Sequence, residues 1–163
     1  MDQTLLQTRA ISKGECEIFV RQKGEKEFKK IRHTKNMTVN LGVNLIRDNV
    51  FKSQTNYVQW GAVSDNASTP TASDTSLGGN EKRKSFQAGY PDTTTNYQAL
   101  VEYYIDATDW ATATPSAMTS VKKAGLYYAS SGSYLYCAAS FTSITVNSST
   151  EMLVRWTVSF ADA

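Results

Sequence analysis

Apolar and polar residues alternate from Glu15 to Arg21, with Cys16, Ile18 and Val20 on one face, which is the period-two pattern of a strand with one buried side. Gln22 to Glu25 reads as a turn with Gly24 at its tip. Lys26 to His33 runs back, so the two runs predict a β-hairpin. Alternation returns at Val58 to Val63, where Val58, Trp60 and Ala62 oppose Tyr57, Gln59, Gly61 and Val63. A strand with a basic start follows at Glu81 to Ala88. Tyr97 to Ile105 carries the strongest strand signal, with Tyr97, Ala99, Val101, Tyr103 and Ile105 on one side. Three more strands are predicted at Val121 to Ala129, Ser133 to Thr142 and Glu151 to Phe160. One segment breaks the rhythm. In Asn40 to Phe51, Leu41, Leu45, Ile46 and Val50 form a helical stripe, and Thr38 or Asn40 is placed to cap it. This helix is expected to pack over one end of the sheets.

Between the strand ending at Val63 and Glu81 the chain passes through about fifteen small polar residues, with Pro70 midway and Gly78-Gly79 at the exit. We read it as an ordered surface crossing that joins two strand-rich halves. A second loop, Asp106 to Thr119, carries Trp110 and Pro115. About eight short strands, turns rich in Gly, Ser, Asn and Asp, and one short helix predict an all-β antiparallel β-sandwich with jelly-roll-like or Greek-key connections. Residues 1–37 form an extended N-terminal arm and a cationic hairpin, and 38–163 the sandwich, within one compact domain. The first twelve residues are either an arm on a neighbouring subunit or a frayed terminus.

At 163 residues the chain is long enough to bury a substantial core. A net charge of +2 offers no strong field for nucleic acid, and no apolar run is long enough to cross a bilayer. The polar N-terminus lacks the apolar stretch of a signal peptide, so synthesis in a cytoplasm is expected. The charge is polarised, however. Residues 1–60 hold eleven basic and six acidic side chains, and residues 61–163 hold six and nine. Lys23, Lys26, Lys29, Lys30, Arg32 and Lys35 cluster in the hairpin, and lysine on an edge strand also blocks unwanted sheet pairing. A basic end of this kind suits docking on an acidic lattice.

Catalytic templates fail on inventory. His33, the sole histidine, sits among Arg32, Thr34 and Lys35, a poor setting for a general base. There is no Gly-x-Ser-x-Gly and no phosphate loop, since Gly78-Gly79 runs into Asn80-Glu81. Glu102, Asp106 and Asp109 read as a solvated rim rather than an acid and base across a cleft. Asp65, Asn66 and Asp74 lack the regular spacing of a calcium loop. Cys16 and Cys137 are expected as buried free thiols, and with one histidine they are too few for a zinc site. No cofactor and no metal is expected. Tyr and Trp residues outnumber what one small core hides, so outward rings at Trp60, Tyr104, Trp110 and Tyr128 are candidates for a subunit interface; rings around a groove would instead suit carbohydrate.

Gly61, Thr69-Pro70, Asp74-Thr75, Leu77 and Glu81, with Lys123 to Leu126 and the closing run Leu153 to Val158, resemble a pattern in structural proteins of tailed bacteriophages. The likeness covers roughly Thr38 to Phe160 and leaves the first 37 residues without a counterpart. None of its motifs is chemical. It implies a non-enzymatic virion building block, expected as a decoration (cement) protein on the capsid exterior, partnered by the major capsid protein and by itself as a homo-oligomer, first of all a trimer. A tail, baseplate or fibre component and a carbohydrate-binding adhesion module are the alternatives.

Overall fold

The computed structural model describes residues 13–52, 56–93 and 98–160. The expectations for residues 1–12 and for Tyr97 lie outside them. The strands are β1 (Lys13–Gln22), β2 (Lys29–Lys35), β3 (Met37–Thr38), β4 (Trp60–Ser64), β5 (Glu81–Ser85), β6 (Gln98–Ile105), β7 (Ser120–Tyr127), β8 (Leu135–Thr145) and β9 (Thr150–Ser159). They form two antiparallel sheets, ordered β2-β1-β9-β6 and β3-β8-β7-β4-β5. The all-β sandwich is therefore present, with one helix, α1 (Asn40–Phe51). The helix has the bounds its apolar spacing predicts. Its N-cap is Val39, which makes no side-chain cap bond, so neither Thr38 nor Asn40 caps it. Packing holds it instead: Gly42 lies so close to the Tyr136 carbonyl that any side chain there would collide.

The core fills the space between the sheets. Cys16, Ile18, Val101, Tyr103, Ile105, Met152, Val154 and Trp156 come from one sheet; Val63, Ala124, Leu126, Cys137 and Ala139 come from the other. Alternation along β6 and β9 delivers these side chains to one face, as the sequence pattern requires. β1 pairs with β9 along its whole length. The hairpin is thus an integral half of the four-stranded sheet.

The long polar passage is not a crossing between halves. It connects β4 and β5, which pair directly with each other. Residues 65–80 leave the sheet and return to the same place, closed at the base where Asn80 donates to Asp65 from its backbone N–H at 2.8 Å and from its side chain at 2.6 Å. The segment folds back as a flap over the outer face of its own sheet, like an Ω-loop. Leu77 lies beneath it with Val39, Ala62, Tyr127, Leu135 and Ala138, a second, smaller apolar cluster. Asp74 pins the flap internally by accepting from the Thr71 N–H (3.0 Å) and hydroxyl (2.7 Å). The Thr75 carbonyl accepts from the Leu135 N–H at 3.1 Å, and the Tyr127 hydroxyl accepts from the Leu77 N–H at 2.7 Å.

The latch comes from β7. Lys123 is 1% exposed, and its ammonium donates to the Ser68 hydroxyl at 2.8 Å and the Leu77 carbonyl at 3.3 Å. Gly125 leaves the room that Leu77 fills, because a Cβ there would come within 2.9 Å of a Leu77 methyl. The loop motif and the Lys123 to Leu126 motif, far apart in sequence, are two sides of one contact.

Candidate docking surface

The hairpin turn closes through the Gln22 N–H to the Glu25 carboxylate (3.0 Å) and the Glu25 N–H to the Gln22 carbonyl (2.9 Å). Gly24 sits at φ +94°, a conformation that glycine reaches without strain. The Lys23 N–H donates to the Ser149 carbonyl at 2.7 Å and fixes the turn against the β8–β9 connection. On this rigid frame Lys23, Lys26, Lys29 and Lys35 are exposed, and none forms an ion pair among the described residues. Lys30 reaches across the hairpin to Glu17 at 2.8 Å and holds that carboxyl below its ordinary range.

Arg32 does something else. Its guanidinium donates to the carbonyls of Ile31 (2.7 Å), Thr142 (3.2 Å) and Ser143 (3.4 Å). Thr34 adds a bond from its hydroxyl to the Ser140 carbonyl at 3.3 Å. Both tie edge strand β2 to β8 of the other sheet, so Arg32 stitches the sandwich shut and is not a free docking cation. The six predicted cations divide into four exposed lysines, one cross-strand pair and one inter-sheet stitch.

On the outer face of the four-stranded sheet, ion pairs join Arg21 to Glu151 and Arg155 to Glu102, each at 2.5 Å, and the His33 ring lies 3.3 Å from the Glu15 carboxylate. The Arg21 bond lowers the Glu151 carboxyl, while desolvation, reinforced by Glu151, pushes the Tyr104 hydroxyl up to about 12. Rings fill the gaps. Arg21 lies 4.3 Å over Phe28, Phe28 meets Tyr104 edge to face at 6.3 Å, and Arg155 lies 5.1 Å over Phe19.

The four aromatic interface candidates do not share a surface. Tyr104 lies half-buried on this open face. Trp60 is on the opposite sheet, packed against the cluster under the flap. Tyr128 pairs with Tyr134 at 5.0 Å beside the β7–β8 turn. Trp110 is core: it is 2% exposed and its indole N–H donates to the Thr150 carbonyl at 2.8 Å. It sits in a single 3-10 turn, Asp109–Thr112, that folds the loop inward, so its ring offers nothing to a partner.

The carboxylates of the second loop are structural. Asp109 accepts from the Asp106 N–H at 2.9 Å and pairs with Lys84 (2.7 Å) and Lys82 (3.4 Å). Asp106 accepts from Thr108, whose backbone and hydroxyl bonds lower its carboxyl. Among the described residues, no three His, Cys, Asp or Glu side chains gather as metal ligands, and no helix is long and apolar enough to cross a membrane. No known protein family, curated protein or solved structure matches this chain. Its function rests on the geometry and on the sequence pattern.

A polar groove of about 510 Å³ crosses the start of β5, between the flap exit and the β7–β8 turn. Ser76, Thr112, Thr114, Ser130 and Ser131 line it with hydroxyl groups. Its guanidinium is already engaged: Arg83 binds Glu81 at 2.5 Å and the carbonyls of Ala129 and Gly132, and lies over the Tyr127 ring. No local pattern in the chain points to this groove, because four separate loops and strands supply its walls. Lys123 stands in the sequence as the first residue of the Lys123 to Leu126 motif, beside a second lysine, Lys122, and nothing local marks it as the buried one.

Proposed function

We propose that this chain is a non-enzymatic structural protein of a tailed-phage virion, a decoration protein that binds the capsid exterior and stabilises the shell. The observation that carries the reading is the set of exposed lysines, Lys23, Lys26, Lys29 and Lys35, on a hairpin held rigid by both sheets. Four exposed cations, without an ion pair among the described residues, form a charged patch on a stiff edge that keeps its shape when it meets an acidic surface, so little ordering entropy is lost on docking. Binding that recognises only the assembled shell stabilises that state by mass action. A homo-oligomer, first of all a trimer, repeats the patch about an axis of the lattice and adds avidity. The likeness of the flap and latch motifs to phage structural proteins supports the virion setting.

Electron cryo-microscopy of particles with and without the gene tests this reading. Density for the sandwich on the outside of the head, lost on deletion, is the expected result. Loss of a tail or baseplate feature with an unchanged head would overturn it. The hydroxyl-lined groove favours one rival, a carbohydrate-binding adhesion module, and saturable glycan binding abolished by blocking the groove at Ser131 would establish that rival instead.

A further inference from the structure

An open pocket of about 190 Å³ lies between the sheets at the end where β1 begins and β9 finishes. Leu45 and Ile46 of α1, Val58 and Val158 form its wall, and Tyr57 and Phe160 stand at its rim. Those two rings are 60% and 49% exposed, so large apolar side chains face water around an apolar recess. The space is somewhat larger than the roughly 150 Å³ that admits a benzene-sized guest. It suits one or two aliphatic side chains.

The lining is almost wholly apolar, so the pocket asks for an aliphatic side chain. A leucine in a peptide segment supplies one.

Such a segment is tethered beside the opening. Lys13 pairs opposite Ser159, the residue before Phe160 at the rim. Neighbouring strands lie about 5 Å apart, so the chain enters β1 next to the pocket. Residues 1–12 contain one adjacent pair of leucines, Leu5-Leu6. The residues between Leu6 and Lys13 span up to roughly 20 Å, ample for the distance. A tether this short gives an effective concentration on the order of millimolar, which favours the chain's own segment over a second copy.

We propose that this pocket is the seat of the chain's own N-terminal segment, with the Leu5-Leu6 pair in the recess. The assignment is independent of what the basic hairpin meets. Methyl-labelled NMR of the full chain tests it. Nuclear Overhauser contacts from Leu5 and Leu6 methyls to those of Ile46, Val58 and Val158 are expected, and in a mixture of differently labelled copies they arise only within a chain. Replacing both leucines (L5D/L6D), or beginning the chain at Lys13, shifts those pocket methyls and lowers the thermal midpoint by roughly 3–10 °C. Absence of the contacts in the full chain overturns the proposal, as do pocket methyls unmoved by L5D/L6D. Contacts seen only between copies overturn it in favour of an exchanged arm.

Discussion

The Tyr103 ring occupies the space in which a side chain on Gly61 would stand, and a Cβ there would overlap three of its ring carbons. The contact crosses the core, since Gly61 lies in β4 of one sheet and Tyr103 in β6 of the other. The Tyr103 hydroxyl then donates to the Ala62 carbonyl at 2.8 Å. Gly61, a residue of the phage-like pattern, is thus a packing requirement. G61A is expected to cost about 3 kcal/mol, because backbone must move to admit the methyl, and to lower the thermal midpoint by roughly 6–12 °C. Y103F keeps the ring and loses the hydrogen bond, at about 1 kcal/mol. Calorimetry of the two variants checks the order. If G61A melts with the wild type, the contact is not what sets the sheet spacing.

Lys123 gives the flap a signature at alkaline pH. Burial lowers its ammonium pKa, with Asp74 opposing in part. The folded chain therefore releases this proton at a lower pH than the unfolded chain, whose lysines titrate near ~10.4. Across the window just below that value the unfolded state binds more protons, so this group makes stability rise with pH. K123M removes the contribution. The difference in unfolding free energy, wild type minus K123M, should increase as the pH rises towards ~10.4, while at pH 7 the two proteins should lie within about 1 kcal/mol. A difference that stays flat or falls would show that the ammonium is not buried under the flap.

The two thiols report on sandwich closure. Cys16 and Cys137 are fully buried and free. Burial raises the Cys16 thiol well above its ordinary range and pushes Cys137 up to about 12. Neither supplies thiolate at neutral pH. An aromatic disulfide reagent should titrate neither cysteine in the native protein and both in denaturant. Rapid labelling of either one in the native state would contradict the packing described above.

Arg32 and the exposed lysines look alike in sequence and should behave differently. Charge reversal at Lys26 or Lys29 should change stability by no more than about 0.5 kcal/mol, as expected of surface positions without partners. R32A should cost about 1 kcal/mol, since it removes the bonds to the Thr142 and Ser143 carbonyls and frees the β2 edge. Urea unfolding resolves the two classes. Equal effects would mean that the inter-sheet bonds of Arg32 contribute nothing.

How much of this was legible beforehand follows from the range of the interactions. Strands β6 and β9 and helix α1 are written in local periodicity, so the pattern of Val101, Tyr103, Val154 and Trp156 or of Leu41 and Leu45 places them. The flap was misread because the partners of Leu77, which are Gly125 and Leu135, lie far along the chain and no periodicity points to them. Trp110 in a polar loop looked available, although the turn around Asp109 carries it inward. Arg32 was grouped with the lysines because charge alone does not show that a guanidinium has found three carbonyls. The exposed hairpin lysines were legible for the opposite reason: among the described residues none of Lys23, Lys26, Lys29 and Lys35 forms an ion pair.

Co-sedimentation with empty capsid shells tests the central claim most directly, comparing the wild type with the K23E/K26E/K29E/K35E variant over a salt series. Saturable binding by the wild type that weakens as salt rises, with binding lost in a variant that keeps its wild-type melting temperature, is the predicted result. Undiminished binding by the folded variant, or no binding by the wild type at low salt, would contradict the account.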